Sequence, residues 1–335
     1  MLLRERRYEL ALGQIAEALR MAPSIKVLYH TKGTILARLA IEIDSVDLAR
    51  RRLIQSEEAF RESLSIYDRD DYDYHGLAEL YFNWAKRCQG ERERSEYISK
   101  AEGVIGEGLR AALHRERLWI LSAEIQNWLG DEPSRIHALE NAVRQTPGGI
   151  IARYLLGRAY RRMNRSQDAL DMLQPVVANH PDEFRACLEY ALALLDRGRT
   201  IDEAIAVLRI GQTHGLRDPR FVATLGGLLF LKGEFTEALG VFGEARKREM
   251  SLTEARRMQF RPRENKGSHE RLRFSGTIAT VGFNFVFISV TGYPDFFRRG
   301  SILDDQLLRK GMQVSFEPAF SASGPAAENL VLTDH

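Results

Sequence analysis

Two cysteines in 335 residues, Cys88 and Cys187, are too few for a disulfide framework. Both fall inside helical patterns without metal-ligand spacing, which suits reduced thiols in a cytoplasm. No apolar run approaches the roughly 18 residues needed to cross a bilayer; runs such as Gly226–Leu231 are far too short. The opening residues, MLLRERRYELALGQ, contain no uninterrupted apolar stretch, so no secretory signal is expected. The histidines are scattered, with no His-Glu-x-x-His helix, and neither a phosphate-binding glycine loop nor a nucleophile elbow occurs. The acidic run Asp68–Asp73 lacks the spaced oxygen ligands and turn glycine of a calcium loop and is read as a solvated junction. No catalytic residue, metal or cofactor is expected, and the chain is not read as an enzyme.

What remains is an ordinary globular composition, 44% hydrophobic and 28% charged, with a formal net charge of only +2. That charge is unevenly distributed. Between Arg246 and Arg273 stand ten Lys or Arg against four Glu, while the residues before and after this join are each slightly acidic. A polybasic stretch of this kind steers phosphates without reading sequence, and the candidates are Arg256, Arg257, Arg261, Arg263 and Lys266. Ser251 followed by Glu254 offers a capping box, so SLTEARRMQF is expected to form a short basic helix, with RPRENKGSHE as a linker.

The organising pattern lies upstream. From Ile150 to Pro181 two short amphipathic helices meet at a polar turn: Leu156, Gly157 and Tyr160 face Ala169, Leu170, Leu173 and Val177, and Pro181 ends the unit. The pattern returns from Pro219, with Leu225, Gly226, Leu229, Gly233, Phe235, Ala238, Leu239, Phe242 and Ala245 in matching places. A two-helix unit of about 34 residues with this Leu-Gly, Tyr, Ala-Leu, Pro spacing resembles the tetratricopeptide repeat family. One such hairpin cannot bury its apolar face alone, so the resemblance implies an α-solenoid of stacked neighbours. Six repeats are expected, following a half repeat at Arg6–Pro23; those from Lys26 and Asp71 are stretched by charged segments, including CQGERERSEY. A half repeat would leave an apolar face uncapped, so the chain is expected to be the C-terminal part of a longer protein or a segment cut from one.

In the tetratricopeptide family the first helices line a concave groove that holds extended peptides. Helical spacing puts Arg117, Tyr154, Arg158, Arg185 and Arg220 on or near that groove, which would favour an acidic peptide, a C-terminal carboxylate or a phosphate. Arg161 and Arg162 suit ion pairs between repeats instead.

After Arg271 the period shortens. RFSGTIATV, NFVFISV, DFFRR, MQVSFEPAF and ENLVL read as about five strands of a small barrel. Gly276-Thr277-Ile278, the aromatic run Asn284–Ile288, Asp295-Phe296-Phe297 and Gly311–Phe316, closing with Gly324–Leu330, resemble the cold-shock form of the OB fold. That resemblance implies a single-stranded RNA or DNA platform on Phe283, Phe285, Phe287 and Phe297, aided by Arg298 and Arg299. Positions where the family commonly carries tryptophan, glycine, histidine and an aromatic hold Thr280, Val286, Arg299 and Gly300, so the platform is reduced. Strand alternation puts Phe285 and Phe287 on one face and Val286 and Ile288 on the other, and the aliphatic pair suits the core.

The expected organisation is a repeat array over residues 1–250, a basic cap and linker over 251–270, and an OB-fold barrel over 271–335. The expected function is a non-catalytic scaffold that holds a protein or peptide in its groove and contacts single-stranded nucleic acid with its barrel. The alternative is a purely protein-binding adaptor, or an autoinhibitory or sensor region of a larger bacterial effector or nucleotide hydrolase, with a degenerate barrel.

Overall fold

The computed structural model describes residues 2–247, 259–262, 270–303 and 306–333. The chain forms two compact units, Met1–Ala152 and Arg153–His335, so compactness divides it inside the helical array, whereas composition had suggested 250 and 270. The expected basic helix from Ser251 and most of the linker lie outside the described residues.

Thirteen helices occur among the described residues. They are α1 (Leu2–Met21), α2 (Lys26–Glu42), α3 (Val46–Ile66), α4 (Tyr72–Arg87), α5 (Glu91–Ala111), α6 (Glu116–Leu129) and α7 (Glu132–Gln145), then α8 (Ile150–Arg162), α9 (Ser166–Asn179), α10 (Phe184–Asp196), α11 (Ile201–Gly215), α12 (Pro219–Lys232) and α13 (Phe235–Lys247). After α1 they pair as six tetratricopeptide-like hairpins, the half-plus-six organisation read from the sequence. Local chemistry sets their ends. Asp218 caps α12 by accepting from the Arg220 and Phe221 amides, Pro219 fills the first turn, and Gly233 stops the helix in the left-handed region at φ 90°. Thr200 and Glu203 form a full capping box on α11. Gly157 lets α8 and α9 approach closely, since a Cβ there would stand 2.5 Å from the Leu173 side chain.

In the first unit the charged insertions lengthen helices and do not make loops. ERERSEY forms the opening turns of α5, which runs for 21 residues. Phe60, almost wholly buried, anchors this core between Gly33 and Gly76. The acidic run is not a solvated junction. Asp71 and Asp73 are buried at the start of α4, and Asp73 is held by Lys26 at 2.6 Å, His30 at 3.0 Å and Ser63 at 2.9 Å. Its charge is tolerable there because cationic and hydrogen-bonding partners surround it.

In the second unit the barrel consists of β1 (Phe274–Gly282), β2 (Phe285–Val290), β3 (Tyr293–Arg299), β6 (Gln313–Ser321) and β7 (Gly324–Leu332), closed in the order β1-β2-β3-β7-β6. Between β3 and β6 lies a small hairpin, β4 (Ile302–Leu303) with β5 (Gln306–Leu307). All barrel pairs are antiparallel except β3 with β7. This five-stranded closure is consistent with an OB-like domain.

The barrel is not separate from the repeats. Helix α12 is buried at every position from Phe221 to Phe230, a helix apolar all round because both faces are covered. One side packs on α13 through Gly226 and Phe242, and the other meets the barrel. Gly227 makes room there, since a Cβ would stand 2.8 Å from both Phe260 and Phe320. Phe230 stacks on Tyr293 at 5.8 Å and packs edge-on to Phe296 at 5.4 Å. The final repeat and the barrel interior, including Ile278, Val286, Phe296, Phe316 and Phe320, therefore form one hydrophobic core.

Candidate functional site

The outer face of β2 and β3 carries the aromatic cluster that the alternation implied. Val286 and Ile288 are fully buried, whereas Phe285 and Phe287 project to the other side and are half-buried. Phe297 lies directly across the ladder from Phe287 and is 39% exposed. The three rings make a closed triangle: Phe285 meets Phe287 at 5.6 Å, Phe287 meets Phe297 at 5.8 Å, and Phe285 stacks on Phe297 at 6.2 Å. Phe285 reaches this position because its cross-strand partner is Gly282, where a Cβ would stand 2.3 Å from the ring. At the β1–β2 turn Phe283 is wholly exposed.

The two arginines separate. Arg299 pairs with Phe285 in the ladder and is exposed, so it shares the face of the triangle. Arg298 shares strand parity with buried Phe296 and donates to the carbonyls of Gly300 at 2.6 Å and Ile302 at 3.3 Å. It closes the end of β3, and strand alternation takes it off the aromatic face. Of the five basic candidates only Arg261 is described; it pairs with Glu328 at 2.7 Å. Arg256, Arg257, Arg263 and Lys266 lie outside the described residues.

The groove candidates also divide. Arg158, Arg161 and Arg220 converge on Glu189, which is 1% exposed, at 3.7, 2.7 and 3.2 Å, and Arg161 also reaches Asp196 at 3.2 Å. These residues come from α8, α10 and α12, so the cluster ties three successive first helices together. Burial alone would push the Glu189 carboxyl up, but Arg161, Arg220 and Arg158 outweigh it and hold it below the usual range. Arg158 and Arg220 therefore share this tie with Arg161, three guanidiniums around one buried carboxylate. Arg185 is exposed and lies over the Phe184 ring at 5.0 Å, and Tyr154 is half-buried on α8. In the first unit Arg117 stacks on Tyr72 at 4.4 Å and stands 4.0 Å from Asp71.

Residues 154–213 match the family model described as tetratricopeptide repeat. This segment is a pair of tetratricopeptide repeats. Solved structures to which this chain is similar include a thermophilic tetratricopeptide protein from Thermus thermophilus, with 21% identity over 58% of this chain and 94% of that one and a TM-score of 0.41. PilF of Pseudomonas aeruginosa shows 14% identity over 68% and 97% of the two chains, with a TM-score of 0.48. MamA from Desulfovibrio magneticus shows 21% identity over 52% and 96%, with a TM-score of 0.40. No curated protein matches. No described helix is long and apolar enough to cross a membrane, and no group of three or more metal-ligating side chains occurs among the described residues.

Sequence reasoning missed Glu189, the acceptor that organises the arginines, and Phe230, Tyr293 and Phe320, which join barrel to repeats. The second omission had a signal. FVATLGGLLFL is too apolar for a helix with one face in water, and that excess marks a second packing partner.

Proposed function

We propose that this chain is a non-catalytic scaffold whose tetratricopeptide-like repeats hold a protein segment, and whose C-terminal barrel presents Phe283, Phe285, Phe287 and Phe297 to single-stranded RNA or DNA. The observation carrying the nucleic-acid half is the exposed aromatic triangle with Phe283 beside it. Apolar rings left in water beside an exposed arginine suit stacked bases and a phosphate chain. Arg299 supplies the nearby charge. Arg185 and Tyr154 are the groove residues retained for the protein half.

The experiment is a titration of the full chain with labelled single-stranded RNA and DNA at two salt concentrations, with Phe285→Ala and Phe287→Ala alongside. The expected result is binding that weakens with salt and drops in both variants. Binding unchanged in both variants would transfer the contact to the basic segment.

A second reading is favoured by the shared core at Phe230: the barrel serves as the cap of the repeat array, and the chain binds protein alone. Absence of nucleic-acid binding in the same titration would select it.

A further inference from the structure

The second unit contains a cavity of about 700 Å³ where the first helices α10 and α12 meet the barrel. Its volume falls in the range of small-molecule sites. Part of the wall is apolar: Leu192 and Leu195 from α10, Leu228 and Leu231 from α12, and Phe274 and Tyr293 from the barrel. Phe260–Pro262 completes the lining. That segment is fixed, because the Phe260 and Phe320 backbones exchange hydrogen bonds at 2.8 and 2.9 Å and the Leu272 amide donates to the Pro262 carbonyl at 3.2 Å. The site is therefore largely formed before any ligand enters.

Five arginines also line it: Arg161, Arg199, Arg220, Arg261 and Arg271. Among the described residues, four carboxylates pair with them. Glu189 and Asp196 meet Arg161 at 2.7 and 3.2 Å, with Glu189 also reaching Arg220 at 3.2 Å. Glu203 stands 3.7 Å from Arg199, and Glu328 stands 2.7 Å from Arg261. Arg271 donates to the Arg261 carbonyl. Arg158 also draws on Glu189, at 3.7 Å, so guanidiniums outnumber these carboxylates beside an apolar wall, a balance that suits an anionic group.

We propose that this cavity binds a compact apolar molecule ending in one carboxylate, with its body against Leu195, Leu228 and Tyr293 and its head at Arg271. The chemistry could come from a free organic acid or from the C-terminus of a peptide. Neither depends on the outer aromatic face.

Calorimetric titration of the full chain with octanoate and octanamide, and with N-acetyl-Leu-Phe as acid and amide, tests this. Arg271→Glu alters the exposed rim, and Leu195→Trp fills the cavity from its wall. The expected result is that at least one acid binds, with its amide weaker by about tenfold or more. Both variants should lose that binding while Arg271→Glu keeps the parent melting temperature. The acid that binds more tightly identifies the source. Equal binding of acid and amide, binding that survives both substitutions, or no binding of any probe would each overturn the proposal.

Discussion

The barrel carries two aromatic clusters, and they face opposite ways. Phe274, Tyr293, Phe296, Phe316 and Phe320 pack against one another and against Phe230 of the last repeat. Phe285, Phe287 and Phe297 touch mainly edges and faces of each other, and Phe283 is left in water. Phe296 and Phe297 are neighbours in sequence yet belong to different clusters, because strand parity alone sends one inward and one outward. Burying a Phe ring contributes roughly 1.5–3 kcal/mol. The inner cluster gains that stabilisation from the fold, whereas the outer cluster largely leaves it available to a ligand.

That contrast can be broken most forcefully at Phe230. Phe230→Ala should cost about 3–5 kcal/mol in urea denaturation of the full chain, as for other buried rings, and amide exchange in both α12 and the barrel should accelerate together. A loss confined to one of them would dissolve the shared core. Glu189→Gln comes next, at about 2 kcal/mol, below the loss for a fully enclosed ion pair because Arg158, Arg161 and Arg220 reach solvent.

Acid makes the same point. Asp73 resists the upward push of burial because His30, Lys26 and Ser63 hold its carboxyl down, and arginines do the same for Glu189. Their folded pKa values lie below the unfolded ones, so their stabilisation is complete above about pH 5 and declines as pH falls through the folded values. Thermal unfolding should show a steeper loss below about pH 4 in the parent than in Glu189→Gln. Smaller still is Phe287→Ala, which should lower stability by about 1 kcal/mol, half the value of a buried ring. Its larger effect belongs to ligand binding.

Much of the fold was legible because periodicity is a local property. The hairpins and their count followed from Leu156-Gly157 and Leu225-Gly226 recurring at one spacing, and β2 was oriented by Val286 and Ile288. The β4–β5 hairpin was not legible, since two-residue strands carry no alternation. Alternation showed only the ENLVL part of β7, because Pro325 and the small residues after it carry no clear pattern; its start at Gly324 came from the family resemblance. The commitments of Arg158 and Arg220 to Glu189 were hidden for a different reason. Glu189 looks like a surface residue in sequence, and only the stacking of α8, α10 and α12 buries it among guanidiniums. The resemblance placed Arg298 beside the aromatic platform, whereas its strand parity with Phe296 and its bonds to the Gly300 and Ile302 carbonyls put it off that face.

The most direct test uses the residue with least to do in the fold. Phe283→Ala in the full chain is measured twice, by thermal unfolding and by anisotropy with a labelled single-stranded oligonucleotide. A stability change within about 0.5 kcal/mol together with binding weakened by about 1–3 kcal/mol is expected. Unchanged affinity for the oligonucleotide would contradict the account.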